Sequence, residues 1–311
     1  NISVFSKNKR KVYKKVIYME FKEFLNVVKD KLPDYLLQYD IEDIHVNTVS
    51  KNNGRKFTGI AIAVRDEQIS PNIYMDYYYM LYSAGKDMNH ILELIAEEYI
   101  KARENIDGYD FKCIDNMDIQ NNIFLKLINF EKNQEILADC PYIKYEDLAI
   151  TFRILLKSDD SGIASACMRN KEFDKLNMDI DSLYNIAKDN TRKLFPPVLQ
   201  RLDKMIFDKY SDICEPPQGM DLYVLTNNQG INGAVYMSYE DIISDFAKEH
   251  GSFYILPSSI HEVILFPREQ DEAREELSEM VMEINRYVVT DTEYLSDSVY
   301  FYDSDMGQIV A

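Results

Sequence analysis

The stretch that decides the fold is MDLYVLTNNQGINGAVYMSYEDIISDFAKEHGSFYILPSSIHEVILFP, residues 220–267. Two short apolar and aromatic runs, 221–226 and 232–237, are joined through Asn227-Asn228-Gln229-Gly230, residue types that tolerate positive φ, and read as a hairpin. Ile242, Ile243, Phe246 and Ala247 then recur at helical spacing over 239–250, with Ser238 as cap candidate and Gly251 as the stop. Two more apolar runs, 252–256 and 261–266, flank Pro257-Ser258-Ser259. Strands returning through short turns pair antiparallel, and an amphipathic helix between them covers one face. The fold class is α+β: a mainly antiparallel, mixed sheet with covering helices, in two lobes.

The same signals extend outward. Helical periodicity predicts helices over 20–32, over 88–102 with Asp87 as its cap, over 181–194 and 199–210, and over about 268–287, where Glu269, Asp271 and Glu272 suit the positive end of the helix dipole. Residues 43–50 and 56–64 flank Asn53-Gly54, a strong two-residue hairpin signal. A strand is expected at 122–130, and a hairpin from 147–157 and 162–169 around the turn cluster 158–162. Hairpin-then-helix units beginning near 150 and 222 read either as a weak internal repeat or as two pieces of one antiparallel sheet with helices on a face. The expected organisation is a basic leader at 1–18, an N-terminal lobe at 19–112 and a C-terminal domain at 113–311. A sub-boundary is placed at Glu215-Pro216-Pro217-Gln218-Gly219.

Charge narrows the function classes. The 311 residues carry 53 acids and 35 bases, a net of −18. Lys7, Lys9, Arg10, Lys11, Lys14 and Lys15 stand before Met19 with no acid among them, so the remainder carries a net of −24. That leader reads either as an upstream extension or as a basic arm for nucleic acid or anionic lipid. The acidic body excludes a general phosphate-backbone binder, so no direct nucleic-acid ligand is expected for it. No apolar run approaches the ~20 residues of a membrane span, and no signal-peptide anatomy is present, so the cytoplasm is the expected location. Cys113, Cys140, Cys167 and Cys214 lie 27, 27 and 47 residues apart, without CxxC spacing. They read as free thiols in a reducing compartment, with Cys167 packing as a small apolar residue. The four scattered histidines complete no metal-ligand pattern, and no metal or cofactor is expected.

Few residues point to chemistry. Ser258, Ser259, His261 and Glu262 sit in one turn between two apolar strands, where Ser, His and Glu could form a nucleophile, base and orienter. Against this, there is no G-x-S-x-G elbow, and Leu265 breaks the HExxH pattern. The competing reading is a turn whose serines bond backbone amides. Tyr74, Tyr78 and Tyr82, in a run with Tyr77 and Tyr79, are candidate binding residues because tyrosine joins rigid contact area to a polar tip. Asn227, Asn228 and Asn232 are the other binding candidates, although their loop is most simply a hairpin turn.

The stretch 220–267, together with NNGRKFTGIAIAV (52–64), ISPNIYMDYYY (69–79), IAKDNTRKLFP (186–196) and LSDSVYFYD (295–303), resembles a family of uncharacterised bacterial proteins, catalogued as a domain of unknown function and found mainly in low-GC Gram-positive bacteria. The resemblance runs from about residue 19 to 303 and leaves 1–18 outside. It implies a bacterial cytoplasmic protein and a shared fold, and it carries no reaction and no catalytic residue. The function expected is a non-enzymatic protein-binding or regulatory module with a protein partner, one form being an acidic decoy that occupies the basic groove of a nucleic-acid-binding protein. The rival is a hydrolase centred on 257–262.

Overall fold

Asn53 and Gly54 take φ of 61° and 66°, left-handed positions that asparagine and glycine tolerate, in a turn Asn52–Gly54 closed by the bond from Lys51 N to Arg55 O at 2.7 Å, one residue longer than the expected two-residue loop. They join β1 (Ile41–Ser50) to β2 (Lys56–Val64), and β3 (Asn72–Tyr74) completes a three-stranded sheet in the order β1-β2-β3. With α1 (Phe21–Lys31), α2 (Met75–Ser83) and α3 (Met88–Glu104), these strands enclose one core. The spacing of Phe24 and Val28 on α1, and of Ile91, Leu92, Ile95 and Tyr99 on α3, puts those side chains into it fully buried. Asp87 Oδ1 accepts from the amides of Asn89 (2.9 Å) and His90 (3.3 Å), capping α3 as expected.

A computed structural model describes residues 19–67, 70–104, 119–159, 162–205, 221–257, 259–267 and 274–310. The chain divides into two compact units, one of residues 1–49 and 56–109, the other of 50–55 and 110–311. The basic leader, the expected boundary at 112–113, the sub-boundary near 215–219 and the acidic start of the helix expected from 268 lie outside the described residues.

The larger unit holds two sheets. One consists of β4 (Ile123–Asn129), β5 (Tyr142–Tyr145), β6 (Leu148–Asp159) and β7 (Gly162–Cys167); β4 lies on one edge of β6, while β5 and β7 share the other. Short helices α4 (Ile119–Asn122) and α5 (Gln134–Leu137) flank β4, and α6 (Asn170–Leu176) and α7 (Ile180–Leu194) follow β7. The second sheet has six strands. They are β8 (Pro197–Arg201), β9 (Tyr223–Asn227), β10 (Phe253–Leu256), β11 (Val263–Pro267), β12 (Tyr300–Asp303) and β13 (Gln308–Val310), in the order β13-β12-β10-β11-β9-β8. Helices α8 (Glu240–His250) and α9 (Arg274–Tyr287) belong to this part of the chain. Ile123, Leu125 and Leu127 of β4 share one core with α7, α8 and the inner face of the second sheet. The Thr191 hydroxyl on α7 accepts from Leu125 N at 2.9 Å and fixes that helix on the sheet. The pairings of both sheets are antiparallel, so the fold is α+β with antiparallel sheets and covering helices.

Residues 50–55 close onto this unit. Asn53 Nδ2 donates to the carbonyls of Asp291 (2.8 Å) and Tyr294 (2.7 Å), Asn52 Nδ2 donates to Thr292 O (2.9 Å), and Asn53 and Asn133 exchange two further bonds.

Four expectations are corrected. Residues 232–237 are not a strand: Gly233–Ser238 is a fully buried 3₁₀ helix entered through Asn232 at φ 58°. A continuous apolar run carries no period, so burial on all sides imitates a core strand. The proposed repeat therefore lacks its second hairpin. Residues 199–201 belong to β8, paired Leu199 with Leu225, and the chain becomes helical only at 202–205. Pro196 holds Phe195 outside the helical region, at φ −133°, and Pro197 opens an edge strand that needs no amide from it. Ser238 does not cap α8, because its hydroxyl donates to Val235 O at 2.7 Å and the chain enters the helix through Tyr239.

Candidate functional site

In the serine–histidine turn, the described side chains contact the backbone and a neighbouring carboxylate. Ser258 lies outside the described residues. Ser259 Oγ accepts from the backbone amide of His261 at 3.0 Å, not from its ring. The ring itself is a tie: Nδ1 accepts from Asn232 N at 3.3 Å and Nε2 lies 3.5 Å from the Glu293 carboxylate. Burial raises the Glu262 carboxyl above its ordinary range, but no hydrogen bond links it to Ser259 or His261 among the described residues. Gly233 packs against this turn so closely that a Cβ would stand 2.7 Å from His261 O and 2.5 Å from Thr226 Oγ1.

Of the other binding candidates, Asn227 is engaged through its side chain, and Asn228 and Asn232 through their backbone. Asn227 Oδ1 accepts from the amides of Gln229 (3.0 Å) and Ile231 (3.4 Å), while its Nδ2 donates to Ile231 O (2.8 Å). Asn228 N donates to Pro196 O at 3.0 Å, and Asn232 supplies the left-handed entry to the 3₁₀ helix. Tyr74 ends β3 and precedes α2, so it does not share the helix face of Tyr78 and Tyr82. Tyr78 is buried with its hydroxyl on Glu98, and Tyr82 packs its ring 5.7 Å from that of Phe24. Tyr78 and Tyr82 belong to the core of the smaller unit.

Two features that sequence reasoning did not single out carry more chemistry. The first is a groove of about 790 Å³ beside the edge strand β13, walled by Tyr145, Met237 and Tyr302 and overlooked by Glu146, Glu240 and Asp241. Asp241 is held by Arg192 at 2.7 Å, whereas Glu146 and Glu240 are exposed and make no ion pair among the described residues. Glu146 sits in the β5–β6 turn at φ 54°, a conformation unfavourable for a side chain with a Cβ. Its neighbour Asp147 fixes it there, accepting from Ser296 Oγ (2.6 Å), Ser298 Oγ (3.1 Å) and the Tyr300 hydroxyl.

The second lies on the outer face of the four-stranded sheet. Side chains alternate along β4 and β6, so Ile123, Leu125, Leu127, Ile150, Phe152 and Ile154 enter the main core and Lys126, Thr151 and Arg153 take the opposite face. That outer face is apolar at its two ends, around Phe124, Leu155 and Phe195 and around Ile128, Leu137 and Ala149. Between them runs a cationic strip. Arg153 stands opposite Cys167 in register and spends its guanidinium on Ser165, at 2.9 Å to Oγ and 2.7 Å to the carbonyl. The chain leaving α5 brings Cys140 Sγ to 3.2 Å from Cys167 Sγ, and Arg169 approaches Cys140 at 3.8 Å. Cys140 is buried and Cys167 partly exposed, and both are free thiols. Cys167 therefore faces cations and a second thiol instead of packing as a small apolar residue. A hydrogen bond from Cys140, then Arg153, Arg169 and Lys126, bring its thiol down to about 6 against the opposing effect of burial. That same hydrogen bond, with burial, pushes the Cys140 thiol up. Burial and Arg153 lower Lys126 to about 7, with the charge on Cys167 opposing them. The legible signal was one lysine and one arginine alone in the apolar strands IFLKLIN and LAITFRILL. A cation placed there needs an anion, and the chain spacing of the cysteines gave no hint that they supply it.

Among the described residues, no cluster of three or more potential ligands is arranged to hold a metal, and no helix is long and apolar enough to cross a membrane. No curated protein and no solved structure matches the chain. A model for a family of unknown function matches residues 21–304, nearly the whole span from α1 through β12, and the chain belongs to that family, DUF5688.

Proposed function

We propose that the protein is a non-enzymatic binding or regulatory module that takes an extended, basic segment of a partner protein along β13. The observation that carries this reading is Glu146, held in a strained left-handed conformation, without a cationic partner among the described residues, over the groove that follows the sheet edge. Strain of this kind persists where the surroundings enforce it, and it marks sites where a side chain is aimed rather than merely accommodated. An edge strand offers free backbone groups to an added strand, Tyr145 and Tyr302 offer rigid contact area, and Glu146 and Glu240 match lysine or arginine. The engaged side chains of Ser259 and His261 leave no observation in favour of the hydrolase, and we do not retain it. Bacterial, low-GC Gram-positive origin and a cytoplasmic location belong to the same proposal, resting on the family resemblance of the sequence. So does the narrower decoy form, in which the partner's basic segment is its nucleic-acid-binding groove.

The test is fluorescence anisotropy with a labelled lysine- and arginine-rich peptide at two salt concentrations. Wild type is expected to bind, more weakly at high salt, and Glu240→Lys to lose at least about tenfold in affinity. Glu146→Gly is expected to lose binding while gaining about 1 kcal/mol of stability, because glycine removes the left-handed strain. Peptide binding that neither substitution alters would overturn the proposal. For the decoy form, the protein should displace duplex DNA from its partner.

A further inference from the structure

The cationic strip poses a problem of charge that the described residues solve in one way. Lys126 has no carboxylate partner among them, and Arg153 bonds only the neutral Ser165; Arg169 has the exposed Asp139 at 3.6 Å, and the Glu172 carboxylate accepts from its backbone amide at 3.0 Å. The groups facing Cys167 are Arg153 from β6, Lys126 from β4, Arg169 from the chain beyond β7, and Cys140 with Asp139 from the chain beyond α5; Lys51 adds to the field at Lys126. Asp139 and Glu172 serve Arg169, so Arg153, which stands opposite Cys167 in register and has no carboxylate partner among the described residues, is the cation that the Cys167 sulfur is placed to balance.

We infer that Cys140 and Cys167 form a dithiol site that reacts with anionic low-molecular-weight disulfides, Cys167 attacking and Cys140 resolving. Access assigns the order, since Cys167 is partly exposed and Cys140 is buried. In the first step Cys167 Sγ forms a bond to one sulfur of the small disulfide, and the other sulfur leaves as a thiolate. In the second, the Cys140 proton passes to that thiolate and Cys140 Sγ attacks Cys167 Sγ. The second small thiolate then departs, leaving an intramolecular disulfide. The two cysteines lose two electrons, and the small disulfide gains them to become one thiol and one thiolate. The separation of 3.2 Å between the sulfurs means that the second step requires little movement. Lys126, Arg153 and Arg169 favour a carboxylate-bearing disulfide over a cationic one. The inference is independent of the acidic groove, and its test does not involve peptide binding.

The experiment uses the full chain, with oxidised glutathione as an anionic probe and cystamine as a cationic one, read by peptide mass mapping with circular dichroism as the control for folding. Expected are a Cys140–Cys167 disulfide in wild type, glutathione trapped on Cys167 in Cys140→Ser, no modification of Cys140 in Cys167→Ser, and faster reaction with glutathione disulfide than with cystamine at low salt. Below about pH 6, Arg169→Gln and Lys126→Met are each expected to slow the reaction by roughly threefold, since one unit in thiol acidity removes about tenfold of the thiolate and returns about threefold in nucleophilicity. Alkylation of Cys167 by iodoacetamide should rise with a midpoint well below the ~8.5 of an ordinary thiol. An ordinary midpoint, or glutathione confined to Cys113 and Cys214, would overturn the assignment. So would stable glutathionylation of folded wild type without closure onto Cys140. Equal rates with the two probes would overturn the preference for anions.

Discussion

At the scale of single residues, the outer face of the four-stranded sheet makes stability depend on pH. The hydrogen bond from Cys140 and the neighbouring cations hold the native Cys167 thiol below the ordinary range, and an unfolded cysteine holds its proton up to about 8.5. Native Lys126 is down to about 7, and an unfolded lysine titrates near ~10.4. Between these limits the unfolded chain binds more protons than the native one, so both groups make stability rise with pH, and the Cys167 contribution is lost as pH falls through its native value. In urea unfolding between about pH 6 and 8.5, the midpoint should climb more steeply for wild type than for Cys167→Ser. Parallel slopes would show that Cys167 is protonated in the native protein. The lone Lys126 and Arg153 were readable in the sequence, but the partner that explains them was not. Strand periodicity places a side chain on a face, and only the pairing of β6 with β7 and the turn after α5 decides which sulfurs meet it.

Elements with a period were legible and elements without one were not. The faces of α1, α3, α7 and α8, the Asn53-Gly54 turn and the strands β4, β6 and β7 follow from spacing and turn chemistry alone, whereas β5 does not. The segment 233–238 fails for a physical reason: every residue in it is buried, so neither alternation nor a helical stripe survives in the pattern. Its 3₁₀ path depends on Gly233 meeting Thr226 and the His261 carbonyl without a side chain. Gly233→Ala should therefore cost about 1–3 kcal/mol, since the added carbon has backbone on one side and a bonded hydroxyl on the other. A denaturation midpoint unchanged in that variant would mean that the turn at 259–261 yields more readily than its hydrogen bonds imply. Of the candidate sites, the turn at 257–262 was rightly noticed as polar groups at a sheet end. The acidic groove escaped because its walls come from β5, α8, β12 and β13, which no local pattern joins.

For the whole molecule, the acidic charge opposes folding. A net of −18 repels itself most in the compact state, and added salt screens that repulsion over a Debye length of about 10 Å at 0.1 M. Raising sodium chloride from about 0.02 to 0.2 M should raise the calorimetric melting temperature, and a flat or falling response would mean that the acids are already compensated. The bonds from Asn52 and Asn53 to the carbonyls of Asp291, Thr292 and Tyr294 have a consequence in time rather than in energy. They join positions separated by about 240 residues of chain. On a ribosome adding about 5–20 residues per second, the asparagines emerge roughly 10–50 s before their acceptors exist. The larger unit thus begins near residue 50 and is sealed only when the last tenth of the chain arrives, so its nascent form stays open for most of its own synthesis.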